Sequence, residues 1–282
     1  MSNTKEKMLK GLKELVRNEI RVEIAKPNAP LPVCACRVGG KPAVPADFVW
    51  PEASYKRVVS SLLGPLSFLF REKSRHEVVT TQPLAFLAQF NLKDVAPLDK
   101  ENLLPQTGVL SFFYDLQEVP EHEGSARVFY FPDESILELA DFPDELQEDY
   151  IVPEYAINLK EHVSLPDWED FKFDGQDDED DDDGEDDDNY EVYEECRREL
   201  DNEEDDYITG ELLGKLLGYP DLVQGSMMDE EWTLLFQLDS RLDRDSDFEL
   251  YFGDLGAIYY WIKKEDLKNC VFDKTWLELQ YF

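Results

Sequence analysis

Histidine and cysteine are scarce in this chain, three and four among 282 residues. Cys34, Cys36, Cys196 and Cys270 are too few and too scattered for a disulfide framework. Cys34-Ala-Cys36 meets no second Cys or His pair at zinc-site spacing. His76, His122 and His162 each lie beside charged or loop residues, without a Ser elbow, an HExxH pattern or a Cys partner at a recognisable spacing. Basic residues are also few: 28 Lys and Arg stand against 64 Asp and Glu, a net charge of −36. Nucleic acid is excluded as a default partner, because phosphates need Lys and Arg to replace their counterions. An anionic membrane surface is disfavoured for the same reason. No apolar run approaches the roughly 20 residues that cross a bilayer, and none of signal-peptide length follows Met1. These absences predict a cytoplasmic protein with no metal site and no cofactor.

Apolar content is ample. A hydrophobic fraction of 42%, with 17 Phe, 13 Tyr and 5 Trp, excludes a wholly disordered chain. Met8, Leu12, Leu15 and Val16 share one helical face, and Pro27, Pro30 and Pro32 stop the pattern, so residues 1–27 predict an N-terminal helix. Gly39-Gly40-Lys41-Pro42 lacks the Walker spacing and predicts a turn. Aromatic and β-branched runs at 84–92, 108–115, 126–131, 232–239, 248–252 and 256–262 predict strands. Short helices are expected near 94–104, 192–200, 210–217 and 264–270.

One interval recurs. Gln89 precedes Gly108 by 19 residues, and Gln237 precedes Gly256 by the same 19. The flanks agree: Leu87-Ala88-Gln89-Phe90-Asn91 aligns with Leu235-Phe236-Gln237-Leu238-Asp239. The expectation is an α+β fold of two related, interlocked β-rich halves, 33–165 and 207–282, packed about a pseudo-twofold. Period-two alternation places Gln89 and Asn91 on one strand face, and Gln237 and Asp239 on the matching face. With Asp254, a carboxylate between glycines, these residues are candidates for a polar cleft between the halves. A strand glutamine that satisfies backbone groups, and an Asp that makes a turn, are the plainer alternatives.

Residues 166–206 are expected to form a flexible acidic insertion. Within them, 174–206 hold 21 Asp and Glu against two Arg, a net of −19. Like charges and missing apolar side chains cannot offset chain entropy there. An EF-hand frame fails, because Tyr190 stands where the bidentate Glu is needed. Asp180, Asp181, Asp182 and Asp183, flanked by Trp168 and Phe171, are candidates for capture of a basic protein partner.

Several strings together resemble the YwqG-like family of mainly bacterial soluble proteins. They are Leu87-Ala88-Gln89-Phe90-Asn91-Leu92, Leu104-Pro105 with Gly108-Val-Leu-Ser-Phe-Phe, Gly218-Tyr219-Pro220-Asp221, Leu234-Leu235-Phe236-Gln237-Leu238-Asp239, and Gly253-Asp254-Leu255-Gly256 through Trp261-Ile262. The resemblance spans roughly residues 40–282. It implies a mixed α+β fold with an internal duplication, and neither an activity nor a cofactor. The leading functional expectation is a non-enzymatic binding protein, immunity- or stress-linked, that uses an acidic surface. The alternative is a small-molecule binder or hydrolase.

Overall fold

The computed structural model describes residues 2–62, 73–117, 124–172, 185–201, 212–225, 228–242 and 248–281. The fold is mostly β, with 40% strand and 21% helix. Helix α1 (Ser2–Leu15) leads into β1 (Arg17–Ala25), β2 (Arg37–Val38), β3 (Ala43–Pro45), β4 (Glu52–Leu62) and β5 (Lys73–Pro83). Then come β6 (Ala85–Asn91), α2 (Leu92–Val95), β7 (Val109–Tyr114), β8 (Ala126–Phe131), β9 (Leu137–Leu139), β10 (Tyr155–Ser164) and α3 (Glu185–Asp201). The remainder holds β11 (Leu212–Leu217), β12 (Trp232–Asp239), β13 (Arg241–Leu242), β14 (Glu249–Leu250), β15 (Ala257–Lys263), α4 (Lys264–Lys268) and β16 (Trp276–Gln280). Ten strands form one antiparallel sheet in the order β16-β15-β12-β11-β1-β10-β2-β6-β7-β8.

The N-terminal segment differs from its expected single helix. The helix ends at Leu15, and β1 runs through the middle of the sheet, bonded to β10 on one side and β11 on the other. Ile20, Val22 and Ile24 point into the core, while Glu19, Arg21 and Glu23 alternate onto the other face. That period of two overrides the weak helical pattern that continues past Leu15. Residues 212–217 are likewise a strand where a helix was expected, and 92–95 alone are helical within 94–104's neighbourhood. Leu213, Leu216 and Leu217 of β11 are buried on both faces, in a short apolar run broken by Lys215 that periodicity cannot separate from a helix. No apolar pattern in the sequence marks β10 and β16, because charged residues interrupt their apolar positions.

The sheet curves until its two wings meet. Phe90 and Phe112 from β6 and β7 pack on Phe236 of β12, with ring centroids 5.1 and 4.7 Å apart. Phe112 also meets Tyr260 of β15 at 5.0 Å, and the Tyr260 hydroxyl donates to the Phe113 carbonyl at 3.1 Å. Each such fully buried ring contributes about 1.5–3 kcal/mol through removal of apolar surface from water. On the opposite face, α1 and α3 cover β10 through a second cluster that includes Met8, Leu12, Tyr193 and Cys196.

The two wings share local detail. Arg37 pairs with Gln89 across β2 and β6, and Lys215 pairs with Gln237 across β11 and β12. A bulge lies between Phe86 and Ala88 on β6, and another between Leu234 and Phe236 on β12. The Gly108 carbonyl accepts the Leu92 amide at 2.9 Å, and the Gly256 carbonyl accepts the Ser240 amide at the same distance. Neither glycine has room for a side chain: a Cβ on Gly108 would lie 2.5 Å from the Phe131 carbonyl oxygen, and one on Gly256 would lie 2.0 Å from that of Gln280. Gly256→Ala is therefore expected to destabilise the protein by about 1–3 kcal/mol, since the obstructing atom is backbone and cannot rotate away. A lower urea midpoint at unchanged slope is the expected reading, and an unshifted midpoint would contradict this packing.

Candidate functional site

On the outer face of the sheet, β1, β10, β11 and β12 present polar side chains in adjoining positions. Period-two alternation that buries Ile20 and Val22 sends Glu19 and Arg21 outward, and the register sets His162 opposite Glu19 and Lys215 opposite Arg21. The loop after β11 arches over this face and is tied down by strand side chains. The Gln237 Oε1 accepts the Asp221 amide at 2.8 Å, the Tyr259 hydroxyl donates to the Asp221 carbonyl at 2.6 Å, and the Gln280 Oε1 accepts the Val223 and Gln224 amides at 3.0 and 2.9 Å. Between loop, sheet and the end of α3 lies a cavity of about 450 Å³.

Charge inside the cavity is mostly compensated. Buried Lys215 donates to Asp221 at 2.8 Å and lies 3.0 Å from Glu19. His162 places Nδ1 3.3 Å from Glu19 and Nε2 2.8 Å from Asp201 of α3. Arg21 reaches Glu19 at 3.3 Å, and Arg197 lies 3.8 Å from Asp167. Burial works to raise Glu19, yet the hydrogen bond from His162 and the charge of Lys215 outweigh it and hold this carboxyl at about 2. His162 is raised above its ordinary value: burial opposes its charge, and the Glu19 hydrogen bond with the Asp201 charge prevails. Asp239 stands apart. Its Oδ1 accepts the Gln237 side-chain amide at 2.9 Å, and it forms no ion pair among the described residues. Burial pushes it up to about 6, helped by the charge of Asp221 and opposed by the Gln237 hydrogen bond and the charge of Lys215.

The structure does not gather the five expected cleft residues. Gln237 and Asp239 line the cavity. Gln89 sits on the other wing, where the loop before β2 closes over it: its Nε2 donates to the Val33 and Ala35 carbonyls at 3.0 and 2.9 Å, and its Oε1 accepts the Ala43 amide at 2.8 Å. Every polar group of that side chain is thereby used to hold the loop before β2 and the start of β3. Asn91 caps α2 by accepting the Lys93 amide at 3.0 Å. Asp254 is exposed in the turn before β15, and its neighbours Leu255 and Gly256, not Asp254 itself, reach the cavity. The two strand glutamines thus serve as loop anchors. No sequence motif marks Lys215 or Glu19, and His162 enters the sequence analysis only as a histidine without a catalytic partner. A lone lysine within Leu212-Leu-Gly-Lys-Leu-Leu217 and the alternation of β1 were the available signals.

Of the residues expected to meet a partner, Asp180–Asp183 lie outside the described residues. Phe171 cannot offer a surface contact, because it is 1% exposed, wedged beside Tyr193 in the cluster between α1 and α3. Trp168 is half-buried, 5.4 Å from the Tyr193 ring and 6.2 Å from that of exposed Tyr190. Segment 185–201 of the expected flexible insertion is α3.

The model of the family described as Domain of unknown function (DUF1963) matches residues 36–280, and the chain belongs to that family. No curated protein matches the chain. The match begins after β1, so Glu19 and Arg21 reach the cavity from a strand outside it.

Proposed function

We propose that the chain is a non-enzymatic cytoplasmic binding protein whose outer-face cavity receives a small cationic ligand, an amine or a guanidinium. The observation that carries this reading is Asp239. Every other cavity charge named above has an opposite charge within 4 Å, whereas the direct contact of Asp239 is an amide and the charge of Lys215 acts on it from farther away. A half-buried carboxylate with no cation in contact carries a desolvation cost. A ligand cation placed against it, with Asp221 alongside, relieves that cost. The cavity volume of about 450 Å³ suits a small molecule, for which sites commonly span about 300–1,000 Å³.

The expected test is calorimetry with putrescine, agmatine and arginine amide as probes. Saturable binding of one molecule per chain supports the reading. Affinity should rise with pH through about 6, where Asp239 loses its proton, and level off above it. Asp239→Asn should abolish both the binding and its pH dependence. Failure of all three cations, or equal affinity in the variant, overturns the proposal. A hydrolytic alternative draws on the same geometry, since an acid near neutrality beside Asp221 suits proton transfer. Turnover of an amide or ester probe, lost in Asp239→Asn, would favour it.

Membership of the YwqG-like group and an origin by internal duplication belong to the same reading. Strands β10-β2-β6-β7-β8 would then correspond to β1-β11-β12-β15-β16, with Gln89 on Gln237 and Gly108 on Gly256. The matched bulges and the register of Arg37 and Lys215 support it. So does the sequence pair Arg37-Val-Gly-Gly-Lys-Pro-Ala43 and Lys215-Leu-Leu-Gly-Tyr-Pro-Asp221, whose last residues each donate an amide to a strand glutamine at 2.8 Å. A basic protein partner, immunity- or stress-linked, is the second reading. It is favoured by exposed Tyr190 and half-buried Trp168 beside a segment of net charge −19, and predicts association that slows steeply with salt.

A further inference from the structure

A second cavity, of about 540 Å³, opens beside α4 and the loop that precedes β7. Its walls are mainly apolar: Leu103, Leu104, Pro105 and Leu267 line it beside Asn102 and Thr233, with Leu104 and Leu267 buried in the protein. Its charges run against the character of the whole chain. Arg17, Lys264 and Lys268 reach it, and Glu101 is the acid that joins them. Glu101 already accepts the Asn18 amide at 2.9 Å.

None of the three cations forms an ion pair among the described residues. By contrast, Lys263 and Lys274, the nearest lysines along the chain, hold Glu231 at 2.8 Å and Asp266 at 2.9 Å. With 64 acids available against 28 bases, three cations to one acid around a single cavity are a local reversal of charge. Arg17 is further held in place over the Tyr219 ring, 4.1 Å from its centroid, and Tyr219 is itself fixed by a hydrogen bond to the Leu15 carbonyl at 2.9 Å. Lys264 and Lys268 stand one helical turn apart on α4, with the buried Leu267 between them on the cavity side.

We infer that this cavity binds a monomeric single-chain amphiphile with an anionic head group, a fatty carboxylate. The tail lies against Leu103, Leu104, Pro105 and Leu267, and the head meets Arg17, Lys264 and Lys268. Burial of the tail supplies most of the affinity and the three cations select the charge of the head. The volume of about 540 Å³ falls within the range of small-molecule sites, about 300–1,000 Å³. The inference is independent of the cationic ligand proposed for Asp239, because the two cavities share no lining residue.

The test is calorimetric titration of the full chain with dodecanoate below its micelle concentration. Dodecyltrimethylammonium, acetate and anionic phospholipid vesicles are the comparison titrants. One saturable dodecanoate site per chain is expected, with no detectable binding of acetate, which lacks a tail. Lys264→Glu combined with Lys268→Glu should weaken dodecanoate about tenfold, since reversal of two rim charges both removes attraction and adds repulsion. Leu103→Asp should weaken it comparably by placing a carboxylate beside the tail. Asp239→Asn should leave it unchanged. The lysines and Leu103 are at least partly exposed, so thermal midpoints near that of the parent chain are expected. Should the reversed pair fail to fold, Lys264→Gln with Lys268→Gln replaces it. Equal affinity for dodecyltrimethylammonium, indifference to the lysine variants, or no saturable dodecanoate binding overturns the inference. Binding to vesicles in place of monomers overturns it in favour of a membrane surface.

Discussion

Lys215→Met should cost about 3–5 kcal/mol of folding stability, the penalty for breaking a buried ion pair from one side. Its ammonium is the cation between Glu19 and Asp221, and without it Glu19 keeps a buried negative charge held by His162, Arg21 and the Ser164 hydroxyl. Asp221 suffers less, because its side chain is 53% exposed and water can replace the lysine. The pH dependence identifies the cause. In the parent chain Glu19 is lowered from 4.5 to about 2. Its contribution, about 3 kcal/mol by linkage, is therefore complete above pH 4.5 and lost as pH falls toward 2. His162 has the opposite sign: raised above 6.5, it contributes fully below that pH, and the contribution is lost as pH climbs through its folded value. This cluster should be most stabilising between about pH 4.5 and 6.5. In Lys215→Met the penalty should shrink as Glu19 protonates, and Glu19→Gln should restore part of the loss in the double variant. Urea titrations across pH 3–8 measure this. A pH-independent penalty would show that Lys215 acts through packing alone.

Phe236→Ala should cost a comparable amount, about 3–5 kcal/mol, by opening a cavity where the two wings of the sheet meet. Phe236 touches Tyr260 on the neighbouring β15, and Phe90 and Phe112 on strands distant along the sheet. None of them can close the gap without moving a strand, which places the cost at the upper part of the range. Phe129, half-buried beside Phe113 and Phe131, should lose only about 1–2 kcal/mol on the same substitution. The difference between these two variants in urea midpoint is the measurement. Equal losses would mean that the wings are not joined through Phe236.

The sequence by itself determined the strands that carry the aromatic core. Ala85–Asn91, Val109–Tyr114, Ala126–Phe131, Trp232–Asp239 and Ala257–Lys263 all follow from β-branched and aromatic runs bounded by turn residues. It also placed Gln89 with Gly108, and Gln237 with Gly256, in matching local settings, because a glutamine inside an apolar strand and a glycine that opens one are rare enough to mark a position. Partner strands were beyond its reach. β1 and β10 lie side by side at the centre of the sheet although the sequence separates them by more than a hundred residues, and charged side chains break up their apolar faces. Only the fold assigned roles among the polar residues. Gln89 and Gln237 share a pattern, yet the loop before β2 closes over one, and the loop after β11 leaves a cavity beside the other. Lys215, Glu19, His162 and Asp239 become a site because four strands and a helix end bring them to one face. Ion pairing and burial depend on distances between segments, and periodicity along the chain holds no information about those distances.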